Sequence, residues 1–164
     1  MKIRQGFVSN SSSSSFLVVD ASKGYTKLNC NDTLIVDSSL GYTEFGWGPE
    51  TITDIGSRII FAYLQTQYGH EDTEPLLEQA LLVTKGYVNE WLFMLEEVIK
   101  ETGIKNIEWN VSSNDDEEGK DWAYIDHASC ASEKSNIEIF QNKQILRDFI
   151  FGKDSKIELR NDNE

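Results

Sequence analysis

Three side chains able to do chemistry stand together at the end of one apolar run. They are Asp126, His127 and Ser129, in the stretch Asp121-Trp122-Ala123-Tyr124-Ile125-Asp126-His127-Ala128-Ser129. A carboxylate, an imidazole and a hydroxyl are the parts of a general acid–base or nucleophilic site. Asp126 and His127 are sequence neighbours, however, and neighbouring side chains of a strand point to opposite faces. They can serve one site only where the strand ends, or with a third group brought from elsewhere. His70, Asp121, Asp162, Ser129 and Cys130 have suitable types, and Cys130 with His127 or His70 would make a thiol–imidazole pair. The structural alternative is that Asp126 and His127 cap the strand end or bond the neighbouring backbone.

Other chemistry is excluded by spacing. The chain has only two histidines, far apart, so no HExxH zinc motif exists. Cys30 and Cys130 have no CxxC spacing and read as free thiols in a reducing cytoplasm, not as a disulfide framework. The acidic loop Asn114–Gly119 lacks the alternating ligands and distal glutamate of a calcium loop. The Gly46-Trp47-Gly48 segment lacks the third glycine and preceding strand of a dinucleotide fingerprint. There is no GxSxG elbow, phosphate-binding P-loop or kinase motif. No cofactor and no metal is expected.

Two further segments are candidates for binding. The run Ser11, Ser12, Ser13, Ser14 and Ser15 offers hydroxyls and amides that can hold an anion. Phe45 and Trp47 are large rings in a glycine-rich segment, able to contact a ligand or to pack a corner of the core.

The elements that must position these residues follow from periodicity. Residues 1–15 read as a flexible serine-rich arm with nothing to bury, and 16–164 as one domain. Phe16–Val19 and Thr33–Asp37 read as buried strands, with a turn at Lys23-Gly24. Pro49 opens a helix running to about Gln67, with Ile52, Ile55, Ile59 and Tyr63 on one face. Pro75 starts one long helix or two, reaching Gly103, whose stripe Trp91, Leu92, Leu95, Val98 and Ile99 is apolar. Residues 104–111 and 122–126 read as an antiparallel hairpin around the acidic loop. Asn136–Phe140 reads as a short strand. Asn142 caps a helix closed by Gly152, and Lys156–Arg160 alternates as a final strand. The fold class is α+β: a mostly antiparallel sheet with three or four packed helices in a single domain.

Composition limits partners. The 164 residues carry 28 acidic against 15 basic side chains, net -13. Binding to nucleic-acid phosphates needs clustered Lys and Arg, which are absent, so no direct nucleic-acid binding is expected. No apolar run approaches the roughly 18 residues of a membrane span.

The opening Arg4-Gln5-Gly6-Phe7-Val8-Ser9-Asn10, followed by Ser11–Ser15 and Phe16, resembles a family of uncharacterised proteins of tailed bacteriophages and some bacterial genomes. Phe45-Gly46-Trp47 with the helix Ile59-Ile60-Phe61-Ala62-Tyr63-Leu64-Gln65 is similar to the same family. So are Tyr124-Ile125-Asp126-His127 with Ser129, and Asp148-Phe149-Ile150-Phe151 running on to Asn161-Asp162-Asn163. The family carries glutamine where Ala128 stands, a departure that weakens a catalytic role for this loop. The resemblance implies a phage origin and the host bacterial cytoplasm, and it implies no activity.

The leading expectation is a non-enzymatic acidic accessory protein that binds a host macromolecule, foremost a protein, during infection. Its acidity steers it toward basic partners, including a basic nucleic-acid-binding protein whose cleft it could block by mimicry. The alternatives are a small hydrolase or transferase using Asp126 and His127, and a virion or assembly component whose interface is the 91–99 stripe. Oligomeric state is not legible.

Overall fold

The computed structural model describes residues 2–5, 13–46, 50–68, 90–125 and 138–161. Ten strands and three helices are present among them: β1 (Lys2–Gln5), β2 (Ser13–Val18), β3 (Thr33–Val36), β4 (Glu44–Phe45), β5 (Glu50–Ile52), α1 (Ile55–Tyr68), α2 (Glu90–Lys100), β6 (Asn106–Trp109), β7 (Val111–Ser112), β8 (Asp121–Trp122), β9 (Tyr124–Ile125), α3 (Lys143–Phe151) and β10 (Lys156–Asn161). The α+β class holds.

α1 is the centre. Every residue from Ile55 to Thr66 is buried, including Phe61, Leu64 and the polar Ser57, Arg58 and Gln65. Its three isoleucines, glycine and threonine are indifferent helix formers, each costing up to about 1 kcal/mol relative to alanine. Burying a large apolar side chain contributes about 1.5–3 kcal/mol, so packing outweighs propensity. This differs from the one-sided helix that spacing predicts, because elements enclose α1 on all sides. Its start also differs. Glu50–Ile52 pairs with β10 as a strand, and Asp54, not Pro49, opens the helix. Asp54 accepts from Ser57 N and Ser57 Oγ, both at 2.7 Å, a capping contact that satisfies a first-turn N–H.

The antiparallel sheet has the order β1-β2-β10-β5. β10 runs the length of β2, from Lys156↔Val18 to Asn161↔Ser13. Alternation turns Leu17, Val19, Ile157 and Leu159 inward. β2 starts at Ser13, inside the serine run, and β1 pairs with it from Gln5↔Ser15 to Lys2↔Val18. Ladder bonds come from the backbone, which serine supplies as well as any residue, and β2 has a partner on each side.

A second set of strands is parallel: β3 with β6, β7 with β8, and β4 with β9. β6 runs on into β7 and β8 into β9, so the chain links the three pairs into a ribbon, and backbone bonds beside the pairs extend their ladders: Asn110 N to Val36 O, Asp121 N to Asn110 O, Ala123 N to Ser112 O and Tyr124 N to Thr43 O. The expected antiparallel hairpin is therefore corrected to a parallel arrangement. The turn at 113–120 loops back far enough that β8 runs beside β7 in the same direction, with Val111 facing Asp121.

α2 lays Leu95, Val98 and Ile99 into the core, and Trp91 stacks on Phe140 at 5.0 Å. The 91–99 stripe is thus mostly spent internally, with Phe93 left exposed. Residues 75–89, which bear on one helix or two, lie outside the described residues. Glu138–Phe140 is a single tight helical turn, not a strand. Its Ile139 and Phe140 are both buried, so the turn serves to pack rather than to pair. α3 begins as its sequence predicts, with Asn142 Oδ1 accepting from Ile145 N at 3.0 Å.

Candidate functional site

Of the residues singled out by sequence, Asp126, His127, Ser129, Cys130, His70, Asp162, Ser11, Ser12 and Trp47 lie outside the described residues. Ser13, Ser14 and Ser15 contribute their backbone to β2. Phe45 is fully buried. Its ring meets Tyr42 at 5.4 Å and Phe61 at 5.2 Å, both edge-on, so it is a core residue out of a ligand's reach. Asp121 is already engaged. Its Oδ2 accepts from Ser38 N at 2.8 Å, and first the Ser38 side chain and then this backbone bond hold its carboxyl below the ordinary aspartate value. It anchors the loop after β3 to β8.

The strands that lead to these segments are well defined. β4 and β9 are parallel and in register, Glu44↔Tyr124 and Phe45↔Ile125. Their inner face is Phe45 and Ile125, with Ala123 one step earlier, all buried. Alternation then forces Trp122 and Tyr124 outward. Their rings stack at 5.7 Å and 18°. Trp122 is 46% exposed. Glu44 is exposed beside Tyr124, and at the other end of the ribbon exposed Ile35 pairs with exposed Glu108. Ser112, the neighbour of Trp122 in register, donates to Glu117 Oε2 at 2.6 Å. This draws the acidic turn Asp115-Asp116-Glu117-Glu118 to the ribbon. Glu117 is also bound by Lys120, at 2.6 Å, and first Lys120 and then Ser112 hold its carboxyl below the usual range.

Charge is not spread uniformly. At α2 Glu96 pairs with Lys100, Glu97 with Lys143 of α3 and, just past its end, Glu101 with Arg147, while exposed Glu90 has no ion-pair partner among the described residues. On the ribbon and its turn, Lys120 matches Glu117 alone. Glu44, Glu108, Asp115, Asp116 and Glu118 have no ion-pair partner among the described residues, and all five are exposed. An exposed indole on a sheet surface that also carries unmatched carboxylates is suited to holding a cation, by the ring's negative face and by Coulomb attraction together.

Sequence reasoning placed Trp122 on a strand but did not single it out. The signal was available in the alternation Trp-Ala-Tyr-Ile, where alanine and isoleucine face the core and leave both large rings to solvent.

A concavity of about 460 Å³ lies between the 25–28 segment, the end of α2 and α3. Leu28, Val98 and Phe151 line its apolar part and Arg147, Glu101 and Tyr25 its rim. The rim groups are tied to one another. Arg147 bonds Glu101 through Nε and Nη2 and Gln144 Oε1 through Nη1. Gln144 Nε2 donates to Tyr25 OH, which donates to Asp148 Oδ1 at 2.5 Å. That last bond, with burial, raises the Tyr25 phenol above its ordinary value. These groups satisfy one another and hold α3 to the 25–28 segment.

Among the described residues no group of three or more His, Cys, Asp and Glu side chains converges as a metal site. None of the described helices is long and apolar enough to cross a membrane. Comparison with protein-family models, with curated proteins and with solved structures finds no match.

Proposed function

We propose that this chain is a non-enzymatic protein-binding module, an acidic accessory protein of a tailed bacteriophage that engages a basic host protein in the host bacterial cytoplasm. The observation that carries the reading is the polarised surface. Glu96, Glu97 and Glu101 are ion-paired, while the ribbon and its turn carry five exposed carboxylates without an ion-pair partner among the described residues, together with an exposed Trp122. A net charge of -13 speeds encounter with a basic partner, and salt screens that attraction over a Debye length of about 10 Å at 0.1 M. The phage origin rests on the resemblance of the serine opening and its companion segments.

The test is affinity capture from lysate of a host bacterium, at low and moderate salt. Wild-type chain runs beside an Asp126→Ala/His127→Ala variant. The expected result is one host protein, identified by mass and reconstituted from purified components at a stoichiometric ratio. It is held equally by both chains and more weakly at moderate salt. Release of that protein by duplex DNA would identify the partner as a nucleic-acid-binding protein. No reconstituted complex, or capture lost in the Asp126/His127 variant alone, would overturn the proposal and return attention to chemistry at that strand end.

A further inference from the structure

We infer that the outward face of the parallel ribbon is the docking surface, and that its occupant is an extended, arginine- or lysine-bearing segment of a partner protein, with one cationic head stacked on Trp122. This rests on the protein-binding reading and adds the place and the chemistry of recognition.

Three observations converge on that occupant. The face is a sheet surface, whose outward side chains recur at every second residue. An extended segment lying along 108–112 presents its own side chains at the same period as Glu108 and Ser112, with Ile35 opposite Glu108 and Trp122 opposite Ser112 on the neighbouring strands. Trp122 and Ile35 are 46% and 47% exposed, on strands whose next residues, Ala123 and Val36, are fully buried. Exposed apolar side chains on a rigid support supply contact area at low entropic cost. Charge complementarity fixes the sign of the partner. The ribbon and its turn hold the five unmatched carboxylates, and Lys120 is committed to Glu117. A guanidinium or ammonium over the indole face gains from both ring and carboxylates. An acidic or phosphorylated segment would be repelled.

The probe is a short fluorescein-labelled peptide alternating arginine with threonine, titrated with the full chain at low salt and followed by anisotropy and tryptophan quenching. Trp122→Ala should weaken binding about fivefold, with Trp122→Phe recovering part of the loss. Glu44→Gln/Glu108→Gln should weaken it by roughly the same factor. Glu90→Gln/Glu97→Gln removes the same charge from α2 and should change it less than about twofold. All substituted side chains are exposed or half-exposed, and circular dichroism confirms that each variant folds.

If the α2 variant loses as much affinity as the ribbon variant, attraction is diffuse and the site is wrong. If Trp122→Ala binds as wild type, or the wild-type chain does not bind the peptide, the inference is overturned as well. Each of these outcomes leaves a reconstituted host complex, the test of the protein-binding reading, standing or falling on its own result.

Discussion

Arg58 is 1% exposed, and its guanidinium stands where a charge is least welcome. Burial pushes its pKa down to about 10. It is kept because Nη1 lies 3.0, 2.8 and 2.9 Å from the carbonyls of Phe149, Gly152 and Ser155, while Nε reaches Asp54 O. One side chain of α1 thus closes the C-terminal end of α3, whose last carbonyls lack helical partners. Arg58→Met conserves much of the apolar volume and takes the guanidinium from those carbonyls, of which Gly152 O keeps its bond from Ser155 N. Each buried, unpaired carbonyl costs about 1–3 kcal/mol, so urea unfolding should show a loss of about 3 kcal/mol or more, with Arg58→Lys recovering part of it. A loss below about 1 kcal/mol would show that water or a shifted backbone replaces the guanidinium. Acid titration offers a second prediction at this scale. The Asp121 carboxyl is held below its ordinary value of 3.8 by Ser38, and Asp20 likewise by Ser22. A carboxyl with a depressed folded pKa contributes stability that is complete above its unfolded value and disappears as pH falls through the folded one. Stability from these loop anchors should be intact above about pH 4 and decline below it. Asp121→Asn should flatten the decline in a series of unfolding midpoints measured against pH.

At the scale of elements, the approach of the β3–β4 loop to α1 is set by two glycines. A Cβ on Gly56 would lie 2.0 Å from Leu40 O, and one on Gly41 would lie 2.3 Å from Ser57 N. Both obstacles are backbone, which cannot rotate aside. Tyr42 N then reaches Ser57 Oγ at 2.7 Å, so the loop, the helix cap and Asp54 form one unit. Gly56→Ala should cost about 2 kcal/mol or more through overpacking, even though alanine is the better helix former by about 1 kcal/mol. A calorimetric midpoint unchanged or raised would show that the loop can lift away. Much of this layer is legible from sequence. The turn at Gly24 and the stop at Gly103 both show positive φ, and Asn142 caps α3. Burial alternation in β10 follows its pattern of residues. What periodicity could not reveal is strand direction. The ribbon's strands are two to four residues long, too short to declare a partner, and their order comes from contacts remote in the chain. The expected start at Pro49 gives way to one at Asp54 because β10 takes 50–52 as its neighbour. At the candidate site the alternation exposing Trp122 was visible in the residues. The unmatched state of Glu44 and Glu108 was not, because it depends on where the lysines of other segments lie.

For the whole molecule, a chain of edge-on rings links the layers. Tyr42 meets Phe45, Phe45 meets Phe61, and Phe61 meets Phe149 at 6.2 Å. The ribbon, α1 and α3 are therefore one packed body, and the docking surface inferred for Trp122 is carried on rigid support. Tyr63 stacked on Trp109 at 4.3 Å, with Trp109 Nε1 bonded to Glu96, fastens α2 to the same body. Salt should act on recognition far more than on folding, since the ion pairs that join elements are exposed and individually worth at most about 1 kcal/mol. The placement of β10 bears on how such a chain is made. It is the last of the described strands in sequence, yet it lies between β2 and β5. The three carbonyls that hold Arg58 belong to residues 149, 152 and 155. During synthesis β2 and α1 leave the ribosome well before these residues, and they wait with an open ladder and an uncovered guanidinium until residues 149–161 arrive. Completion of the sheet therefore depends on a segment far in sequence from the strands it joins.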